Sequence, residues 1–463
     1  MARSNCASDG PAKVTTAPVD LPRQRTIFIL LDGTWNDADA PGPTTSVVRL
    51  RETLRQWVLS RSEDTSSDVL IYYDRGVGTS FFQRVSGGAI GIGLDEGIRR
   101  AYRYLCDVYR PGDRLIIGGF SRGAYTARSL VGLLSSIGLL KREHCVPNIE
   151  ASIWDFYRAR RGNRGSGTAV LLQPYLRPLK EVNVDCLAVF DTVGALGIPV
   201  RALWRFNRDL YEFHDVSLSA SANLNLHALA IDEHRLAFEA SLWRGLSRPS
   251  VAANVEQVWF PGSHGDIGGG YIDSTEQCLR IDDLPYSWLL TRLNFHFPDL
   301  NLPTGIDVER LTATAIDAVA HRSRRGIYRL FPKAIRAIGR EAKISVGFRQ
   351  TIVCRDRYQP VLGEAVHISS LERLGRVSPE GRKRRHYLPA NLIAALPELA
   401  TTYGDGLPTV TGNLLIIGWD GKILNPLVPE SASAARQIIK QANERVAGMR
   451  RIHHPILLFR KTL

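Results

Sequence analysis

The amino-acid sequence predicts an α/β fold: a doubly wound, mostly parallel sheet carrying lid-type insertions and a basic C-terminal extension. Three observations predict it. Short apolar runs end repeatedly in a polar or glycine-bearing turn, as buried parallel strands do where they enter functional loops. Amphipathic helical stretches alternate with those runs in the βαβ manner. One of the turns, Gly119-Phe120-Ser121-Arg122-Gly123, sets a serine between an apolar strand and a helix of small residues.

Taken in order, residues 1–25 are polar and proline-bearing, lack an apolar h-region, and read as a disordered leader without a secretory signal. R-T-I-F-I-L-L then runs as a strand into Asp32-Gly33-Thr34, and V-L-I-Y-Y-D is a second strand. G-L-D-E-G-I-R-R-A-Y-R-Y-L-C-D-V-Y follows as a helix with Ile98, Ala101, Leu105 and Val108 on one face, stopped by Pro111-Gly112-Asp113. R-L-I-I-G-G-F is the strand before Ser121, and G-A-Y-T-A-R-S-L-V-G-L-L the helix after it. V-D-C-L-A-V-F-D and N-V-E-Q-V-W-F are two further strands ending in polar loops. Residues 158–167 read as a flexible surface loop. The expected organisation is a catalytic domain over 26–395, with insertions near 143–180, 195–225 and 300–345, and an extension over 396–463.

Composition narrows the function classes. An apolar content of 44% with ordinary glycine and proline excludes collagen, a coiled coil and a mostly disordered chain. The longest strong apolar runs, T-I-F-I-L-L and L-L-I-I-G, are strand-sized, too short for a spanning helix. Six cysteines without C-x-x-C spacing argue against a zinc site or a disulfide framework. The net charge of +13 lies wholly in the last third: 33 basic and 33 acidic residues precede Asn301, and 26 basic against 13 acidic follow from it. Such a surplus favours a phosphate-bearing partner or forms a solvated face. Arg325, Arg329, Lys333, Arg336 and Arg340 recur at helical steps opposite Ile327, Phe331, Ile335 and Ile338, an amphipathic basic pattern that Pro332 interrupts.

Chemistry is expected at Ser121. A nucleophile on so tight a turn needs small residues two before and two after it, here Gly119 and Gly123, and its Oγ then stands at a helix N-terminus. A serine needs a base, and the base needs a carboxylate to set its tautomer and stabilise the imidazolium. In α/β-hydrolases the order along the chain is Ser, then Asp or Glu, then His. Asp191 ends the strand C-L-A-V-F, and His264 follows V-W-F in the loop P-G-S-H-G-D-I-G-G-G-Y. His227 and His234, seven residues apart, read as a helix-spaced packed pair and are the runners-up for the base. The N–H of Arg122 and an N–H of the Gly33–Thr34 loop are the expected oxyanion donors. Asp32 and Asp266 are expected to order their loops. Asp74-Arg75-Gly76-Val77-Gly78-Thr79 lacks the lysine and spacing of a P-loop and reads as a rim loop. This chemistry needs no metal or organic cofactor. Two alternatives stand beside it: a phosphatase with Asp32 as nucleophile, disfavoured for want of a second Asp two residues on, and a non-catalytic membrane or nucleic-acid binder using the basic third.

The ordered motifs D-G-T-W-N, Y-D-R-G-V-G-T, G-L-D-E-G-I-R-R-A-Y, G-F-S-R-G-A-Y-T-A-R, F-D-T-V-G-A-L-G-I-P, F-P-G-S-H-G-D-I-G-G-G-Y, V-H-I-S-S-L-E-R-L and Y-L-P-A-N-L resemble one family over roughly Arg25 to Leu392. It is the uncharacterised α/β-hydrolase domain family that includes the type VI secretion phospholipase effectors of the first lipase-effector class. The resemblance implies a Ser-Asp-His esterase carried by Ser121, Asp191 and His264, acting on acyl esters of glycerophospholipids. It also implies a secretion spike and an immunity protein as partners, and a protein cytoplasmic in its producer and exported without a signal peptide; no nucleic acid is expected. In V-R-A-L-W-R-F-N-R-D-L-Y-E-F-H, Trp204, Phe206, Tyr211 and Phe213 interleave with arginines, which suits a lid or acyl pocket facing a membrane, or a core-covering helix pair.

Overall fold

The computed structural model describes residues 24–33, 44–61, 68–76, 87–159, 166–178, 181–193, 222–244, 254–271, 280–304, 307–330, 333–339, 351–354, 361–381, 383–404 and 414–452. The proposed leader up to residue 23, Thr34, residues 160–165 of the expected surface loop, the aromatic segment 194–221, Phe331, Pro332 and Arg340 lie outside them.

The chain opens with β1 (Thr26–Leu31), α1 (Ser46–Leu59), β2 (Val69–Asp74), α2 (Gly87–Val108), β3 (Arg114–Phe120) and α3 (Arg122–Ile137). It continues through α4 (Pro147–Arg158), α5 (Ser166–Leu172), β4 (Val184–Phe190), β5 (Ala222–Ala230), β6 (Val255–Phe260), α6 (His264–Gly268), α7 (Asp283–His296) and α8 (Val308–Asp317). Then come β7 (Lys333–Arg336), β8 (Thr351–Cys354), β9 (Glu364–His367), α9 (Ile368–Arg373), β10 (Val377–Glu380), β11 (Lys383–His386), α10 (Ala390–Thr402), β12 (Leu415–Ile417) and α11 (Pro429–Ile452).

Among the described residues eight strands form one sheet in the order β12-β9-β6-β5-β4-β3-β1-β2. Every pairing in it is parallel. Strand side chains alternate between its faces. Phe28 and Leu30 join Leu50, Leu54 and Trp57 of α1 and the buried face of α7 on one side. Ile27, Ile29 and Leu31 join α2, α3 and α4 on the other. Both faces are covered, which is why β1 and β3 read as unbroken apolar runs.

The order along the sheet reverses at β1, whose neighbours are β2 and β3. Such a switch point leaves a crevice outside the carboxyl ends of the strands. Register brings those ends level: Leu31 lies beside Gly119, Phe120 beside Phe190, and Ala230 beside Phe260.

Three expectations differ from the structure. The segment carrying His227 is the strand β5, so the seven-residue spacing to His234 is not helical. Its Ala, Leu and Asn residues have modest strand preference, and burial between β4 and β6 overrides it. The basic 321–340 segment is a 3₁₀ turn, Gly326–Leu330, followed by β7 paired to β8. Arg325 and Arg329 are exposed, but Ile335, Arg336 and Ile338 are buried, so the segment has no single basic face. Finally, the boundary expected after residue 395 falls inside α10. Beyond it, β12 is the sheet's edge strand, and Ala432, Ala435, Ile439 and Ala442 of α11 complete a third apolar cluster with Leu371, Leu392 and Leu396.

Candidate active site

Ser121 sits between β3 and α3 with φ 58° and ψ −119°, a backbone state that is strained for any residue but glycine. Two close approaches explain the flanking glycines. A Cβ on Gly119 would lie 2.6 Å from the Gly123 carbonyl oxygen, and one on Gly123 would lie 2.2 Å from the Leu31 oxygen. The turn is thus wedged against the end of β1, and Ser121 remains only 8% exposed.

His264 begins α6 after β6, and its imidazole lies between the Phe120 and Phe238 rings at 4.7 and 5.0 Å. Its Nε2 is 2.8 Å from Ser121 Oγ. Its Nδ1 is 2.6 Å from Asp191 Oδ2. Because an ionised carboxylate only accepts, Nδ1 carries the hydrogen and Nε2 accepts from the serine hydroxyl. The His264 backbone N–H donates to Glu233 Oε2 at 3.3 Å, and Glu233 is itself held by Arg235.

Asp191 follows β4 at φ 40° and is fully buried. Its Oδ1 accepts from the Ala230 N–H at 3.0 Å and from Arg336 Nη1 at 2.6 Å, while Arg336 Nη2 reaches Oδ2 at 3.0 Å. Burial alone would raise this carboxyl's pKa, but Arg336 and His264 together hold it well below the usual carboxylate range. Arg336, 3% exposed on β7, also donates to the Ala230 and Phe238 carbonyls. In the sequence this arginine is one member of the amphipathic basic pattern. The signal that could have separated it was its setting in K-A-I-R-A-I, where apolar residues leave little room for a solvated guanidinium.

The runner-up histidines lie apart from Ser121's hydrogen bonds. His227 is buried in β5, where its Nε2 accepts the Thr192 N–H at 3.0 Å and burial pushes its pKa down to about 3. His234 is likewise lowered to about 3 by burial. Neither ring is charged at neutral pH.

Around these groups, Asp266 Oδ2 accepts the Ser263 N–H at 2.8 Å and the Ser263 hydroxyl at 2.9 Å, while Oδ1 meets His321 Nδ1 at 2.7 Å. Asp266 therefore orders the loop that presents His264. Asp32, buried beyond β1, accepts from the Gly33 N–H at 2.7 Å, Thr45 Oγ1 at 2.8 Å and the Tyr73 hydroxyl at 2.9 Å. Those bonds tie Asp32 to its own loop and to the first turn of α1, which Thr45 also caps. They leave the Gly33 N–H engaged with a carboxylate. Arg122 is the first residue of α3, so its N–H has no acceptor within the helix. Asp74 ends β2 paired with Arg100 at 2.8 Å, and residues 77–79 of the expected rim loop fall outside the described residues. Among the described residues no group of three or more His, Cys, Asp or Glu side chains could hold a metal ion.

Residues 25–292 match the family model described as type VI secretion, phospholipase effector Tle1-like, catalytic domain. An uncharacterised protein of Saccharomyces cerevisiae is 26% identical over 196 residues, 38% of this chain and 27% of that protein. A crystal structure of an uncharacterised protein from Pseudomonas aeruginosa aligns at 17% identity and TM-score 0.36, covering 63% of this chain and 50% of the other. The Tle1 effector bound to the VgrG spike of the type VI secretion system aligns at 17% identity and TM-score 0.28, covering 58% of this chain and 57% of that one. The chain thus spans little more than a quarter of the yeast relative and about half of each solved structure.

Proposed function

The chain belongs to the family of type VI secretion Tle1-like phospholipase effectors, and from that premise we propose that it is a serine hydrolase cleaving acyl esters of glycerophospholipids. The observation that carries the reading is the continuous hydrogen-bonded line from Ser121 Oγ through His264 to Asp191, at 2.8 and 2.6 Å.

In this reading Ser121 Oγ attacks the ester carbonyl carbon while His264 Nε2 takes its proton. The imidazolium that forms faces the Asp191 carboxylate, which stays ionised because Arg336 and His264 favour its charged form. The Arg122 N–H, at the positive end of α3, meets the developing oxyanion. The second donor is assigned to the Gly33–Thr34 loop. Since the Gly33 N–H faces Asp32 Oδ1, the assignment falls on Thr34, outside the described residues. His264 then returns the proton to the leaving glycerol oxygen. Water repeats the sequence on the acyl-enzyme and regenerates Ser121. Phe120 and Phe238, on either side of the imidazole, keep bulk water from the proton's path.

The same premise extends to assembly: we assign the chain a secretion spike as carrier, an immunity protein in its producer and an anionic membrane as its working surface. No described helix is long and apolar enough to cross a membrane. A fluorophosphonate probe tests the chemistry. Labelling of the parent, abolished by Ser121→Ala, is the expected result, and an unlabelled but folded parent protein would leave the chain with no activated serine.

A further inference from the structure

Beside the loop that carries His264 lies a cleft of about 530 Å³ whose lining is rich in basic side chains. Arg322, Arg324, Lys333, Arg373 and Arg385 line it, against two carboxylates, Asp232 and Glu380. Glu380 is shared, 3.1 Å from Arg322 and 3.8 Å from Arg385. Among the described residues no carboxylate lies within ion-pair distance of Lys333 or Arg373. The Arg373 guanidinium, 1% exposed, donates to the backbone carbonyls of Ala315, Ala318 and Pro379 and lies over the Tyr387 ring at 5.3 Å. Among the described residues two acidic side chains therefore face five basic ones.

The cleft's volume falls in the range of about 300–1,000 Å³ that accommodates small-molecule ligands, and its basic side chains favour an anionic one. Guanidinium groups beside an ammonium suit phosphate, whose oxygens accept both forked and point-charge donors. The wall is also the support of the catalytic loop. Asp232 Oδ2 accepts the Gly262 N–H at 2.7 Å and the Tyr387 hydroxyl at 2.9 Å. His321 meets Asp266, two residues past His264. A group seated in the cleft thus lies one hydrogen bond from residues on either side of His264.

We propose that this cleft is a binding site for the phosphodiester of a glycerophospholipid headgroup. The lipid identity rests on the esterase reading above, whereas the anion site rests on the cleft itself. Titration calorimetry separates the two when it is run on the Ser121→Ala protein with sn-glycero-3-phosphoglycerol, inorganic phosphate and glycerol. The diester is expected to bind at one site per chain, more tightly than phosphate, with no binding of glycerol. Lys333→Gln and Arg385→Gln are each expected to weaken it about fivefold, the effect of one lost cation near an anionic partner. Arg385 is exposed on β11, so its variant tests the site even if Lys333→Gln melts early. Unchanged affinity in a folded Arg385→Gln protein, or absence of diester binding, would overturn the site. Phosphate bound as tightly as the diester would overturn the headgroup assignment. Loss of ester turnover on Ser121→Ala is read separately, so the esterase reading can fail while the cleft stands.

Discussion

Asp191 concentrates the site's electrostatics. A carboxylate with no solvent around it is costly unless it is paired and hydrogen-bonded, and here Arg336, His264 and the Ala230 N–H together satisfy it. Arg336→Met would leave that charge buried with its fixed cation gone, and we expect a loss of about 3–5 kcal/mol in urea unfolding. The sign with pH follows from the lowered carboxyl pKa. Asp191's stabilising contribution is complete above the unfolded-state value near 3.8 and is lost as pH falls below it toward the folded value. The parent's stability should fall more steeply below pH 4 than that of Arg336→Met; parallel acid limbs would show that Arg336 is not what lowers this carboxyl. On the proposed mechanism, Asp191→Asn and His264→Ala should each cost several orders of magnitude in kcat, because the members of such a triad act as a unit, and Asp191→Asn should also lower the melting temperature, since it leaves Arg336 buried without its counter-charge. Wild-type kcat in a folded His264→Ala enzyme would remove that ring from the chemistry. At Gly123 the constraint is steric. Gly123→Ala sets a methyl 2.2 Å from the Leu31 oxygen, and backbone at both ends of that contact leaves nowhere to move. A loss above about 4 kcal/mol or failure to fold is expected by circular dichroism.

At the scale of elements, short segments present the site and longer ones set their height. The helix α6 has only five residues, and its position depends on Asp266, which takes the Ser263 N–H and hydroxyl at one end and His321 at the other. On the proposed mechanism Asp266→Ala should lower kcat, because it displaces His264 from Ser121. The expected stability loss, measured by thermal unfolding, is about 1–3 kcal/mol from the donors left unpaired in a buried loop. An unchanged kcat would mean that α6 is held by packing alone. The 3₁₀ turn and strand of 326–336 illustrate the converse case. Their basic residues match a helical period, yet β7 pairs with β8 and turns Arg336 inward to Asp191.

Across the whole molecule, the C-terminal third is part of the sheet and its cover. The strand β12 pairs with β9, Tyr403 donates its hydroxyl to the Leu424 carbonyl and accepts the Ile416 N–H, and α11 packs its alanine face on α9 and α10. A chain ended at residue 395 would uncover β9 as a new sheet edge and open the third apolar cluster. Such edges and patches promote association. That truncation is expected to be insoluble or aggregated by size-exclusion chromatography, and a monomeric, cooperatively melting product would restore a separable extension.

By itself the sequence determined the parallel α/β architecture, because strands buried on both faces must be apolar throughout and the helices between them amphipathic. It also pointed to Ser121, Asp191 and His264, since each follows an apolar strand at the sheet's carboxyl edge, where a loop side chain meets its neighbours. What it left undetermined has a common physical cause: the deciding contacts join residues far apart in the chain. β5 is a strand because β4 and β6 flank it, although its composition is neutral. β9 and β12, at four and three residues, are too short to show a period. Arg336 looks like one more member of a basic run until tertiary structure sets it 2.6 Å from a carboxylate 145 residues earlier. Charge count is a property of sequence, but only the fold decides which charges meet water and which meet each other.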